Sequence, residues 1–345
     1  MALTPEQIPD FVALTQNVVK RGKWTDLSLD LQSYVSATMM KKKVVEVGGP
    51  YIEFPVQTKN TDTARNVGML TQDVTNIEDI ATTGKIPWTK QTVNWSFTVE
   101  EEMFQSDRET IVKLLTMREH AAMNSAVELD EQNLWSAPTS TADKRPMGIP
   151  FWAQKDATTT PGGAFNGGNP SGFTSGCAEI SSTTNPAWRN WTFGYANATQ
   201  DDLIVKLKKA IAFTNFQPPV PHPELGFGAD DYTMFTTYRV SEPLERLAES
   251  RNDNLKGDLA RYVNAVTVAG IPIRWVPYLQ ENDTSDPIYG INWKVLRPYV
   301  KKGGYRKRYA PKEAPHQHGV YNVFIDTWMN WACYNRRALF VGSKS

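Results

Sequence analysis

Cysteine is almost missing from this chain, with two in 345 residues, Cys177 and Cys333. One pair is too few for a disulfide framework and matches no metal or redox spacing, so a reducing compartment is expected. Histidine is nearly as scarce, at four. Net charge is absent: 37 basic against 37 acidic side chains give no global field to draw in nucleic acid or an anionic membrane. Any electrostatic function must be local. No apolar run reaches the roughly 18 residues of a spanning helix. The start, MALTPEQIPDFVALTQ, has neither the basic residues nor the apolar core of a signal peptide. There is no P-loop, no Gly-x-Ser-x-Gly elbow and no Cys set against His and Asn. GFGADD at 226–231 opens like a dinucleotide loop but lacks its third glycine and the helix that should follow. These gaps lead to the expectation of a soluble, cytoplasmically made protein that is not an enzyme, with no catalytic residues, no metal and no cofactor.

A hydrophobic fraction of 40% and 11 Trp argue for a folded chain, and the length allows two domains. Residues 1–42 join a thin amphipathic pattern (Ile8, Phe11, Val12, Thr15) to WTDLSLDLQSYV. So little apolar surface reads as an arm that needs a partner. From Lys43 the period is two, as in a strand pair: Val45, Val47, Tyr51 and Phe54. A long polar stretch, 59–87, follows, and Trp88, Val93, Trp95, Phe97 and Val99 suggest the returning strand of an extended, protruding hairpin.

Ser106-Asp-Arg-Glu109 has the form of a capping box. Beyond it Ile111, Leu115, Ala122, Ala126 and Leu129 fall on one helical face, giving a helix over 107–135, roughly 43 Å long at 1.5 Å per residue. Its acids and histidine raise the question of a metal site. Adjacent Glu119 and His120 point about 100° apart and cannot share one ion. Glu128, Asp130 and Glu131 scatter around the axis, and so their charges are expected to meet solvent or neighbours. His316-Gln-His318 lacks a third ligand.

Residues 153–197 are rich in Gly, Ser, Thr, Asn and Pro with spaced aromatic rings, and read as a docked loop or surface insertion. Strands and helices alternate afterwards. PIYGINWKVLRPYV is read as one strand, and VYNVFIDTWMNWACYNRRALFV as a long C-terminal one. YVKKGGYRKRYAPK, 299–312, holds six basic residues and three tyrosines, a composition suited to phosphate contact or to a solvated loop.

An arm, a long hairpin and a single long helix all ask for neighbours. The stretch KQTVNWSFTVEEEMFQSDRETIVKLLTMREHAAMNSAVELDEQNLWSAP, followed by Pro146-Met-Gly148-Ile149, resembles the tailed-bacteriophage major capsid proteins of the Hong Kong 97 fold family. The order of the later strands is similar as well, over residues 43–342.

The resemblance implies an α+β fold with an N-terminal arm (1–42) and an extended hairpin loop over a neighbour (43–97). A spine helix and peripheral domain would span 98–195 with the insertion 153–197, an axial domain 196–300, and a basic loop with the returning C-terminal strand 301–345. It implies a structural subunit that assembles with itself into hexamers and pentamers of an icosahedral shell around double-stranded DNA. Portal, scaffold or decoration proteins would be partners, DNA contact would be non-specific, and no membrane would be involved. Subunit-interface candidates are Glu100, Glu101, Glu102, Asn60, Asp62, Arg65, Asp73, Arg306, Lys307 and Arg308. The basic loop, Lys301, Lys302, Arg306 and Arg308, would face DNA or a neighbour's carboxylates, the neighbour being favoured. Two other readings stand beside this one: an encapsulin-like nanocompartment shell, and a soluble two-domain hydrolase.

Overall fold

The computed structural model describes residues 34–61, 64, 66–69, 79–104, 108–156, 161–215, 231–249 and 266–344, with the backbone only at 102, 104 and 108–113. The expected arm helix at Ile8–Thr15 and the Ser106 cap lie outside these residues. In chain order come α1 (Val35–Met39), β1 (Val44–Glu46), β2 (Tyr51–Gln57), β3 (Ala81–Pro87), β4 (Thr89–Thr98), α2 (Val99–Phe104), α3 (Arg108–Leu134) and α4 (Ile149–Trp152). Next are β5 (Ala164–Gly167), β6 (Asn190–Tyr195), α5 (Val205–Thr214), β7 (Tyr232–Thr236), α6 (Tyr238–Glu249), β8 (Thr267–Val268), β9 (Ile271–Trp275) and α7 (Pro277–Asn282). The chain closes with β10 (Ile288–Asn292), β11 (Leu296–Lys301), β12 (Lys307–Arg308), β13 (Lys312–Glu313), β14 (Val320–Cys333) and β15 (Phe340–Lys344).

Two sheets organise these elements. In the six-stranded sheet the order is β1-β11-β14-β12, and β13 and β4 also pair with β14. In the seven-stranded sheet it is β5-β6-β15-β10-β7-β9-β8. The long helix α3 covers one face of the first sheet, where Trp95, Ala122 and Val323 form a small core with Val93, Phe97 and Leu115 against it. Among its described side chains, Leu114, Ala122, Ala126 and Leu134 are buried apolar positions, while Leu115 and Leu129 are only half-buried. The second sheet packs on α5 and α6 through Leu203, Leu207, Val240 and Leu244.

Four expectations need correction. The returning strand of the hairpin is β3, drawn from the polar stretch, and not β4, which pairs with β14. Nor do the hairpin's strands stand free: Ile52, Phe54, Val56 and Ile86 lie in the main core, and Lys85 N–H donates to Ala178 O at 2.9 Å. Alternation explains this, since one face of β2 is buried at every second residue. Gly84 allows it, because a Cβ there would sit 2.8 Å from the Phe54 ring. Second, PIYGINWKVLRPYV is two strands in two sheets. The Asn292 side chain accepts from Lys294 N–H at 3.0 Å and turns the chain between β10 and β11. Third, the C-terminal stretch also divides between the sheets. Asn335 caps a short turn of helix by accepting from Arg337 N–H at 3.0 Å, and β15 then enters the other sheet beside β6 and β10.

Fourth, 153–197 is no surface appendage. It supplies β5 and β6, and Phe173, Trp188, Trp191 and Phe193 are buried. One buried side chain also ties it to the C-terminal stretch. Arg336, 0% exposed, donates from Nε to Trp152 O (2.9 Å), from Nη1 to Trp188 O (3.0 Å), and from Nη2 to Gly168 O and Asn190 Oδ1 (both 3.0 Å). Asn190 in turn donates to Gln154 O at 3.0 Å. Gly167 leaves the room: a Cβ there would lie 1.8 Å from Asn190 Oδ1.

Removing this guanidinium strands several buried carbonyl groups, each a desolvated acceptor. Arg336→Met should therefore lower unfolding free energy in urea by about 3 kcal/mol or more, and Arg336→Lys by a similar amount, because an ammonium cannot reproduce the planar fork. A loss within about 1 kcal/mol of wild type would show that the carbonyls find other donors.

Candidate subunit interface

The expected interface residues divide sharply by environment. Asn60, at the end of the described hairpin, is exposed, as is Glu100 on α2. Asp62, Arg65 and Asp73 lie outside the described residues, and only the backbone of Glu102 is described. Glu101 is 8% exposed. It closes a capping box with Thr98, Glu101 N–H donating to Thr98 Oγ1 at 3.3 Å and Thr98 N–H to Glu101 Oε2 at 3.4 Å. The Thr-x-x-Glu spacing was visible in the sequence and marks the start of α2. Arg118 of α3 grips the same carboxylate with both Nη atoms at 2.7 Å, so Glu101 ties α2 to α3 within the chain.

The basic segment likewise turns partly inward. Arg306 Nη2 donates to Asp130 Oδ2 at 2.7 Å, and these side chains are 14% and 4% exposed. Arg306 reaches α3 because its backbone turns at a positive φ of 48°, held by Arg306 N–H donating to Thr327 Oγ1 at 3.2 Å. Arg308 pairs with Glu119 at 3.0 Å in a more open setting. Within the chain these arginines find carboxylates on α3: β12 pairs antiparallel with β14, so the segment that carries both lies beside that helix. The expectation that the acids of α3 all meet solvent or neighbours is corrected. Glu131, 2% exposed, accepts from Ser36 N–H at 2.8 Å and from Trp135 Nε1 at 2.7 Å, fastening α1 to the helix.

The lysines stay outside. Lys302 and Lys307 are exposed, and Lys301 is half-buried. On the sheet face away from α3, the Trp328 ring is flanked by Lys90 Nζ at 5.9 Å and Lys301 Nζ at 6.0 Å. Lys90 also pairs with Asp326 at 2.7 Å, and Lys307 lies 5.2 Å from the Tyr309 ring. Large apolar side chains are exposed as well: Val47, Val67, Met69 and Met103 are each more than half exposed. Among the described residues, His318 pairs with Glu313 at 3.7 Å, with both exposed. Cys177 and Cys333 are buried free thiols. Among the described residues, no helix is long and apolar enough to cross a membrane.

Burial pushes the Asp130 carboxyl up to about 6, against the pull of Arg306. The ion pair thus loses more to desolvation than it regains from its partner. The sign follows by linkage. The unfolded carboxyl ionises near pH 4 and the folded one near 6, so Asp130 withdraws stability as pH rises between them. Asn cannot titrate. The unfolding free energy of Asp130→Asn minus that of wild type should rise by up to about 3 kcal/mol from pH 4 to pH 7, whatever the offset between the two proteins. Urea melts at several pH values read this difference, and a flat one would place the Asp130 charge in water.

Neither a family model nor a curated protein sequence matches the chain. Solved structures do. The capsid asymmetric unit of cyanophage A-1(L) is 12% identical with a TM-score of 0.62, over 92% of this chain and 94% of that one. The capsid of Myoviridae phage XM1 is 9% identical with a TM-score of 0.56, over 94% and 98%. A chain of Gordonia phage Cozz is 15% identical with a TM-score of 0.52, over 94% and 89%. With nearly the whole of each chain superposed on nearly the whole of this one, the protein has the α+β, Hong Kong 97-like fold of phage capsid subunits.

Proposed function

We propose that the chain is a major capsid protein, the structural subunit of an icosahedral phage shell around double-stranded DNA, located in the virion and without catalytic activity. The observation that carries this reading is the end-to-end likeness to phage chains, two of them from capsids, with more than nine-tenths of this chain covered in each of the three comparisons. The same comparisons favour a genome container over a nanocompartment for cargo, and over a hydrolase.

The division into hairpin, peripheral and axial parts belongs to this proposal, with one adjustment. The axial part takes β5 and β6 from 153–197 and β15 from the C-terminus, since these strands complete the seven-stranded sheet. Glu100, Asn60, Lys302, Lys307 and Arg308 are the described candidates that stay accessible for contacts between subunits, and exposed Met69, Met103 and Val67 would supply the apolar area. The face bearing Lys90, Lys301 and Trp328 suits either a neighbour's carboxylates or phosphates of packaged DNA. Portal, scaffold or decoration proteins would add to these contacts in the same reading.

Sedimentation velocity over a concentration series tests the proposal. The expected outcome is a slow single-subunit or capsomer boundary that gives way cooperatively to a very fast, uniform species as concentration rises. Met69→Asp together with Met103→Asp should push that transition to higher concentration while leaving the urea melt unchanged within about 0.5 kcal/mol, as expected for exposed positions. A single slow boundary at every concentration and salt would contradict the proposal.

A further inference from the structure

Strand register settles which side chains share the sheet face away from α3. Val323 and Trp95, which pair across β14 and β4, pack with Ala122 of α3. Odd-numbered residues of both strands therefore point toward the helix and even-numbered ones away from it. Residues opposite one another on paired strands share a face. Lys307 thus lies beside Asp326, and Lys312 beside Asn322, on the far side. Lys301 joins them at Trp328, 6.0 Å from its ring. The three lysines form a line along one edge of β14, about 20 Å from the Trp328 row to the Asn322 row at 3.3 Å per residue. Along β4 a second line, Thr92, Asn94 and Ser96, is exposed, with Lys90 at its end.

This face gathers positive charge although the chain as a whole has none. Lys90, Lys307 and Lys312 are exposed, Lys301 is half-buried, and Lys302 is exposed at the turn that follows. Arg297, opposite Ala332, continues the line past buried Tyr299. Two acids share the face. Asp326 is already paired with Lys90 at 2.7 Å, and Glu46, beside Lys301, is half-buried. Rings hold several of the ammonium groups in place before anything binds: Lys90 and Lys301 at Trp328, and Lys307 at 5.2 Å from Tyr309.

The residue types select the partner. Carboxylates are met best by the arginine fork, and Arg118, Arg306 and Arg308 already spend theirs on Glu101, Asp130 and Glu119 of the same chain. Lysine is a point charge that meets phosphate from many directions, and Ser, Thr and Asn side chains commonly donate to phosphate oxygens. Such contacts carry no sequence information, which suits a container indifferent to the bases it holds. A line of about 20 Å faces about six phosphates of one duplex strand at 3.4 Å each. We propose that this face takes the phosphates of packaged double-stranded DNA, with Lys301, Lys307 and Lys312 as ion partners and Thr92, Asn94 and Ser96 as neutral donors. This site rests on the reading of the chain as a subunit of a DNA-filled shell, and it turns the face toward the cavity. Lys307 then serves DNA rather than contacts between subunits.

Fluorescence anisotropy of a short labelled duplex of mixed sequence tests this on the full chain, kept below its assembly concentration. Binding should weaken linearly in log K against log salt. Lys301→Gln, Lys307→Gln and Lys312→Gln together should lower affinity at least tenfold and flatten that slope by about 2.7, near 0.9 for each lost contact. The urea melt of this triple variant should match wild type, and in sedimentation velocity it should assemble at the wild-type concentration. Lys208→Gln, which removes an exposed lysine of α5, should change neither affinity nor slope. No duplex binding by wild type at low salt, or an unchanged slope in the triple variant, would overturn the proposal. So would assembly of the triple variant only at higher concentration, or displacement of the duplex by polyglutamate as readily as by unlabelled DNA, since either gives the face to a neighbour's carboxylates. Wild-type protein that binds the duplex as expected but never forms a shell would support the phosphate site and remove the shell reading instead.

Discussion

Arg336 brings a positive charge to a site with no exposed surface, and neutral oxygens surround it there. A guanidinium so placed is tolerable only when its donors are met, because an unpaired buried charge is far more costly than an unpaired neutral group. Four positions must arrive together to meet them: Trp152 at the end of α4, Gly168 after β5, and Trp188 and Asn190 at the entry to β6. Arg336 itself sits between β14 and β15, where the chain passes from one sheet to the other. One side chain thus couples the crossover between sheets to the ordering of the Gly- and Ser-rich segment. That segment is also held by its buried rings, Phe173, Trp188, Trp191 and Phe193, and the carbonyl bonds fix the polar backbone between them.

A second set of buried polar contacts fixes the long helix. Glu131 holds α1, Asp130 holds the basic segment, and the Glu101–Arg118 pair holds α2, so α3 is bonded to a different part of the chain at each. These contacts carry more specificity than energy, since Asp130 is raised by burial even beside its arginine. Charges used in this way inside one subunit are withdrawn from the surface. What remains outside for partners is lysine-rich and apolar, typified by Lys302, Lys307, Met69 and Met103.

The long helix was legible in the sequence because its apolar period and length leave few alternatives, and its observed limits differ by one residue at each end from those expected. Many of the later strands were legible as well, but strand pairing was not, and β3, β5 and β6 fell in stretches read as a polar tip or a loop. β3 hides in ATTGKIP, where Ile86 and the small Gly84 matter only once Phe54 lies opposite. The division of the two late stretches between sheets turns on Asn292 and Asn335, whose side chains make turns that periodicity does not register. Asp130 and Glu131 looked solvated because a helix with acids on every side gives no sign of which of them another segment will cover. Arg336 had no local motif at all; its only trace was an arginine set between two apolar runs.

The subunit that emerges has a body closed by its own polar bonds and a hairpin end that presents methionine to solvent. A body of this kind is built from contacts within one chain, which fits the proposed role of a shell subunit. A cryo-electron microscopy reconstruction of the particles formed by the purified chain tests this most directly. The account predicts a closed icosahedral shell in which every subunit keeps both sheets, with Arg336 on the carbonyls of Trp152 and Trp188, and with Met69 covered by a neighbour. Particles without icosahedral symmetry, or shells whose subunits have exchanged β6 or β15 and left Arg336 on other partners, would contradict it.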